Sequence, residues 1–216
     1  DWATPFAIFA KSGQRARLTD VDGLVYDDFC LADTPSMFGH GLEVVTKALA
    51  DQASKGTGFM LPTQEASEVG KLLSARFGLP FWQTANTATD ANRAAIRWAR
   101  AVTGRSQILV FDGCYHGAVD DTFVSLASGK AALKAGLVGQ VHDVAAFAKV
   151  IDFNDLEALE AALAPGDVAC VLAEPVMTNC GMIVPDDGYL EGLRALTRKY
   201  GTLLLIDETH TISTGP

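Results

Sequence analysis

Gly201-Thr-Leu-Leu-Leu-Ile-Asp-Glu-Thr-His-Thr211 is the stretch on which the reading of the fold turns. Thr202 to Ile206 is a short apolar run of the kind that forms a strand buried on both faces. Asp207 follows at once, so a carboxylate stands at the carboxyl end of a strand, the edge at which open α/β sheets bind their ligands. A bare carboxylate there is unfavourable unless a cation pairs with it. An Asp that caps a turn or the next helix is an equally good reading of this stretch alone.

Moving back from Gly201, helices and strands alternate. Tyr189–Tyr200 is expected as a helix, Val168–Ala173 as a strand, Asp155–Leu163 as a helix and Phe147–Ile151 as a strand. Ile108–Phe111 is another strand, ending at Asp112-Gly113. Before it, Asn86-Thr-Ala-Thr-Asp-Ala91 opens a helix with Ala91, Ala94, Ala95, Trp98 and Val102 on one face, and Phe81–Thr84 reads as a strand. Ala118 to Ala146 is weakly patterned and suggests a functional loop or short helices. A helix from about Gln64 to Phe77 would turn Ala66, Val69, Leu72 and Leu73 inward. Val44, Val45, Ala48 and Leu49 form a further helical stripe, closed by Gly56-Thr-Gly58. Arg15–Thr19 and Leu24–Phe29 flank Asp22-Gly23 and predict an N-terminal β-hairpin.

The implied fold is α/β, a mostly parallel sheet flanked by helices with right-handed crossovers, behind a β-hairpin segment. Gly215-Pro216 directly after a strand suggests a domain interrupted at its C-terminus.

The composition is that of a soluble globular chain: 216 residues, 49% hydrophobic and 20% charged. A formal net charge of -9 argues against nucleic acid and anionic membranes as partners. No apolar run reaches the roughly 18 residues that span a bilayer. Cys30, Cys114, Cys170 and Cys180 are scattered without metal-ligand spacing, which suits free thiols in the cytoplasm.

Several short motifs fall at the ends of these strands. Asn86-Thr-Ala-Thr-Asp90 offers hydroxyls and unpaired N–H groups at a helix start, an anion site unless Thr87 or Thr89 merely caps the helix. Gly113-Cys-Tyr-His-Gly117 supplies an aromatic face and an imidazole. Glu174-Pro175 and Asn179-Cys-Gly181 lie beyond a third strand. An anion cradle, an aromatic ring and carboxylates along one edge suit a phosphorylated, aromatic, cationic cofactor such as pyridoxal 5′-phosphate. A divalent metal held by Asp207, Glu208 and His210 is a remote alternative, because alternation along a strand would divide those residues between faces. A nucleotide-binding Rossmann domain is disfavoured, since no Gly-x-Gly-x-x-Gly follows a predicted strand.

Taken in order, Asp22-Gly23, Gly39-His40, Asn86 to Ala91, Gly113 to Gly117, Asn154-Asp-Leu156, Glu174-Pro175 and Asp207-Glu208 resemble the class III aminotransferases. Within them the chain is most similar to the glutamate-1-semialdehyde aminomutase-like branch. The resemblance is collinear over nearly the whole chain. It implies a pyridoxal-phosphate transferase of fold type I. Residues 1–60 would be an N-terminal segment belonging in part to a small domain, and 61–216 an incomplete large cofactor-binding domain.

The resemblance also implies roles. Thr87, Ala88 and Thr89 would bind the cofactor phosphate, Tyr115 would stack on the pyridine ring with His116 beside it, and Asp207 would salt-bridge the ring nitrogen. Glu174, Asn179, Thr209 and His210 complete the expected cofactor-binding set, and Asp207 and Tyr115 are the expected catalytic residues. The catalytic lysine would lie beyond Pro216. Three positions depart from the family pattern. Ala88 stands for a Gly, Thr209 for a Val, and Asn179 for the Glu that shields an Arg in ornithine- and ω-amino-acid-type members. The expected activity is transfer of an amino group from an amino acid or amine to a 2-oxo acid or aldehyde, in a homodimer with its active site at the interface. An aminomutase or racemase on the same scaffold is the alternative.

Overall fold

A computed structural model describes residues 7–214; Gly215-Pro216, on which the expectation of an interrupted domain rests, lie outside them. The chain divides into two compact units, residues 1–81 and 82–216.

In the first unit, β1 (Ala10–Gln14), β2 (Arg17–Asp20) and β3 (Val25–Asp27) form an antiparallel sheet in that order. The hairpin expected around Asp22-Gly23 is β2–β3; β1 was not anticipated. Asp20 closes the turn, its carboxylate accepting from the N–H groups of Asp22 and Leu24 and from the Tyr26 hydroxyl. Helices α1 (Glu43–Ala53) and α2 (Gln64–Phe77) follow, the second capped by the Thr63 hydroxyl. Neither helix has a buried residue, and Val69 and Leu72 are exposed. The inward face expected for α2 is therefore wrong for this unit. Its sheet is too small to cover two helices, and Asp20 is its single buried residue among those described.

The second unit holds the parallel sheet. Its strands are β4 (Gln107–Phe111), β7 (Ala148–Ile151), β8 (Val168–Ala173) and β9 (Leu203–Ile206), in the order β7-β4-β8-β9, all pairs parallel. All six residues of β8 are buried, so β8 is the strand that the near-continuous apolar pattern describes. β9 is not buried on both faces as expected. Leu203 and Ile206 are 40% and 41% exposed, because β9 pairs with β8 alone among the described strands. Helices α3 (Ala88–Thr103), α4 (Leu156–Leu163) and α5 (Tyr189–Lys199) pack on this sheet. Phe111, Phe153 and Tyr189 meet edge to face, with centroids 4.7 to 6.4 Å apart.

Three further expectations change here. Phe81–Thr84 is irregular rather than a strand: no described strand offers it a ladder, and Phe81 is exposed. Helix α3 buries Asn92, Ile96 and Ala99, leaving Trp98 and Val102 exposed on the face expected to pack. The weakly patterned stretch holds short 3-10 helices as expected, at Asp120–Thr122 and Val144–Phe147, but also a hairpin, β5 (Val124–Ala127) and β6 (Lys130–Leu133), turning at Ser128-Gly129. That hairpin is scaffold for the site. Leu126 N–H donates to the Asp112 carboxylate, and the Lys134 ammonium donates to the Cys114 carbonyl, which ties down the start of the loop after β4.

Candidate active site

The backbone N–H of Asp207 donates to the Ala173 carbonyl at 2.8 Å, so the β8–β9 ladder runs to the first residue beyond β9. Its side chain turns inward and meets two other segments. Asn92 Nδ2, from α3, donates to Oδ2 at 2.9 Å, and His116 Nδ1, from the loop after β4, donates to the same oxygen at 2.8 Å. Thr209 supplies the other oxygen with two donors, its N–H at 3.1 Å and its hydroxyl at 2.6 Å. A carboxylate has about four acceptor positions, and here all are used.

The electrostatics follow from this. Burial alone would strip His116 of its proton, but the hydrogen bond to Asp207, helped by the neighbouring Cys114 side chain, raises its pKa to about 9. Burial likewise opposes the charge on Asp207, yet the donors from His116, Thr209 and Asn92 hold its carboxyl well below the usual carboxylate range. The two therefore form a buried ion pair at neutral pH, with His116 side-chain exposure at 0% and Asp207 at 8%. The cation that Asp207 demands is supplied first by the chain itself.

Helix α3 brings the second component. Thr87 is its N-cap, with its hydroxyl accepting from the Asp90 N–H and donating to the Asp90 carboxylate. Ala88 is the first helical residue, so the Ala in place of Gly leaves the helix start intact. The first intrahelical bond runs from Ala91 N–H to the Thr87 carbonyl, which leaves the N–H groups of Ala88 and Thr89 without a carbonyl in the helix. The Thr89 hydroxyl accepts from Ala118 N–H at 3.1 Å. Gly117 makes this approach possible, since a Cβ there would lie 2.2 Å from the Thr89 hydroxyl oxygen. Thr89 and Asn92 are three residues apart and share a helix face. The open N–H groups and the donor to Asp207 are thus separated by about 4.5 Å of helical rise.

Beyond β8, the Glu174 carboxylate is 5% exposed and accepts from Thr178 through its N–H (3.2 Å) and its hydroxyl (2.7 Å), both at Oε2. The Thr178 hydroxyl also lies 2.6 Å from His210 Nδ1. Glu174 Oε1 is buried without a hydrogen-bond partner, as is His116 Nε2. Cys180 closes over Gly113, where a Cβ would come within 2.9 Å of the Cys180 Cβ, so the loops after β4 and β8 lie against each other. Tyr115 is 55% exposed beside the buried His116, and Asn179 and Thr209 are exposed. Asp207, Glu208 and His210 go to separate partners, Glu208 bonding the Thr211 hydroxyl. No group of three metal-ligating side chains occurs among the described residues.

The family model for class-III aminotransferases matches residues 1–215. The chain belongs to that family. It is 38% identical to the glutamate-1-semialdehyde 2,1-aminomutase of Syntrophomonas wolfei over 93% of its own length and 48% of the relative's. To the enzyme of the same name from Sulfurihydrogenibium azorense it is 40% identical, over 94% and 49%. A solved glutamate-1-semialdehyde-aminomutase from Pseudomonas aeruginosa superposes with a TM-score of 0.95 at 48% identity, covering all of this chain and 48% of that one. An omega-transaminase from Sphaerobacter thermophilus gives 0.86 at 32% identity, over 96% and 50%. The chain spans about half the length of the curated relatives it matches. These are enzymes of fold type I, and the family's cofactor is pyridoxal 5′-phosphate. A variant of the Pseudomonas enzyme is described in complex with PMP.

The residues present fit that cofactor. The helix start keeps two N–H groups beside the Thr89 hydroxyl for an anion, the half-exposed Tyr115 offers a ring face, and Asp207 remains ionised through the working pH range. Two residues of the site escape the sequence reading, Asn92 and Thr178. Asn92 was detectable as the polar member of the Asn92, Ile96, Ala99 stripe, whose spacing of four and three marks one helix face. Thr178 carries no such signal, because its hydroxyl links Glu174, just past β8, to His210 from beyond β9.

Proposed function

We propose that this chain is the cofactor-binding part of an enzyme that moves amino groups with pyridoxal 5′-phosphate, and that its reaction is of the aminomutase type. The observation that carries the reading is the junction of Asp207, His116 and Asn92 one helical turn from the open N–H groups of α3. Ala88 and Thr89 N–H, with the Thr89 hydroxyl, hold the phosphate, while Thr87 serves the cap. Tyr115 covers one face of the ring and excludes water from it. Asp207 would accept a hydrogen bond from the ring nitrogen at Oδ1, one of the two Thr209 donors giving way, and keep its proton in place, while His116 and Asn92 fix the direction of that carboxylate through Oδ2. The bound cofactor supplies an electron sink for the substrate carbon that loses a proton.

Relatives at 37 to 40% identity carry the aminomutase name, and Asn179 is neutral where ornithine-type members carry Glu, which favours this branch. Intermolecular transfer to a 2-oxo acid or aldehyde, the broader family activity, is the second reading. The proposal includes a homodimer with its site at the interface, a cytoplasmic location, and residues 61–216 as the cofactor domain with 1–60 leading into a smaller one. No described helix is long and apolar enough to cross a membrane. The test is to supply the complete protein, loaded with pyridoxal 5′-phosphate, with glutamate 1-semialdehyde alone. Conversion to 5-aminolevulinate without a second substrate supports the mutase reading. Turnover that requires an added oxo acceptor returns the assignment to an aminotransferase, and no turnover with either overturns both.

A further inference from the structure

Asp207 is placed from two sides. Asn92 and His116, both buried, fix Oδ2. Thr209 fixes Oδ1, the oxygen offered to the ring nitrogen, and it belongs to a turn without that support. None of residues 208–214 is buried. The bonds from Thr211 and Ile212 N–H to the Glu208 carbonyl shape this turn internally but do not attach it to the sheet. Asp207 N–H on the Ala173 carbonyl attaches its first residue. Thr178 attaches it again further on. Its hydroxyl lies 2.6 Å from His210 Nδ1, one residue beyond Thr209, and 2.7 Å from Glu174 Oε2, which also accepts the Thr178 N–H. Side-chain exposure is 6% at Glu174 and 18% at His210, so water competes little for these bonds. The support is itself rigid. Met177 and Ile183 exchange both backbone hydrogen bonds at 3.0 Å, Met177 is buried, and Cys180 packs on Gly113. The turn after β9 thus hangs from a loop after β8 that is fixed in its own right.

We propose that Glu174 and Thr178 are positioning residues that act through His210 on Asp207. They tether the turn after β9 so that Thr209, through the donor that remains on Oδ1, keeps that oxygen aimed at the ring nitrogen. Without the Thr178 hydroxyl the tether is cut, and the carboxylate is set from the Oδ2 side alone. The loss falls on the ring nitrogen and spares the rest of the cofactor, because the N–H groups of α3 and the face of Tyr115 belong to other segments. No proton moves along the tether, and it asks of the imidazole only that it bridge the two loops. That Oδ1 serves a ring nitrogen rests on the function proposed above; the tether itself does not.

The test uses the complete protein. Without cofactor, amide hydrogen exchange followed by NMR should show the Thr209 N–H protected in the wild type, open in Thr178→Val and protected again in Thr178→Ser. Titration should then give a dissociation constant for pyridoxal 5′-phosphate about tenfold higher in Thr178→Val and restored in Thr178→Ser. For the analogue with carbon in place of the ring nitrogen, Thr178→Val should change the dissociation constant less than about twofold. Equal weakening of both ligands would make Thr178 a general structural residue and overturn the proposal, as would no weakening of either. A wild-type Thr209 amide that exchanges at the rate of an open turn also overturns it. That measurement needs no variant, so misfolding of Thr178→Val leaves the test standing. A protein that shows the expected exchange pattern yet binds no pyridoxal phosphate sustains the tether and sinks the functional reading instead.

Discussion

Asp207 and Glu174 are both carboxylates just past the ends of neighbouring strands, and both are buried, but their surroundings are opposites. Asp207 has donors on every acceptor position and an imidazolium beside it. Glu174 has one oxygen doubly bonded to a single residue and the other left without a partner. A saturated carboxylate is held as an anion in one orientation, which suits a fixed counter-charge. An under-satisfied one leaves an oxygen open to a further donor. The difference cannot be seen in residue type. It arises from how many other segments reach each side chain.

The comparison breaks most decisively at Asp207. Asp207→Asn should remove most of the cofactor-dependent turnover, because an amide cannot hold the pyridinium proton. It should also destabilise the protein by up to about 3 kcal/mol, the value of raising the His116 pKa from 6.5 to about 9. Urea unfolding beside turnover separates the two effects. Near-normal turnover in this variant would remove Asp207 from the chemistry.

The same ion pair should appear in the pH dependence of stability. The folded pKa of His116 lies above its unfolded value, so its contribution is complete below about 6.5 and drains away as pH rises to about 9. The Asp207 contribution has the opposite sense, present above the ordinary carboxylate pKa and lost only in strong acid. The urea midpoint should therefore fall between pH 6.5 and 9 in the wild type, more steeply than in His116→Gln. Equal slopes would show that the pair is not charged.

Asn92→Ala removes one of the four donors and should destabilise by about 1.5–3 kcal/mol, the usual worth of a hydrogen bond to a charged group. Thermal unfolding at pH 7 checks it, and an unchanged midpoint would mean that the carboxylate is not limited by its donors. A smaller effect separates the two threonines of α3. Thr87→Val should lower stability by about 1 kcal/mol through the lost cap and leave the cofactor dissociation constant alone, whereas Thr89→Val should weaken cofactor binding. Titration of cofactor-free protein distinguishes them. Smallest of all, Glu174→Gln should change the free energy of urea unfolding by less than about 1 kcal/mol, since Oε1 has no donor to lose. A loss as large as that for Asp207→Asn would erase the contrast between the two carboxylates.

The sequence by itself determined the elements whose signals are local. Val168–Ala173 and Leu203–Ile206 are strands as expected, and α2, α4 and α5 fall at or within a residue of their expected bounds. Periodicity, the capping residues Thr63 and Asp155, and an apolar run short enough for a strand are all written within a few neighbouring residues. The alternation of these strands with helices carried the parallel α/β class with it, but not the strand order β7-β4-β8-β9. Tertiary structure decided what depends on a distant partner. It left Phe81–Thr84 without a ladder, chose the Asn92 face of α3 over the Trp98 face, and made Leu203–Ile206 an edge rather than a centre. Most of all it decided the state of each carboxylate. Two of the four donors to Asp207, both on Oδ2, stand 115 and 91 residues away in the chain, and the His210 that bonds Thr178 stands 32 away. Charge state and hydrogen-bond saturation are set by such neighbours, and no pattern along the chain records which of them will meet.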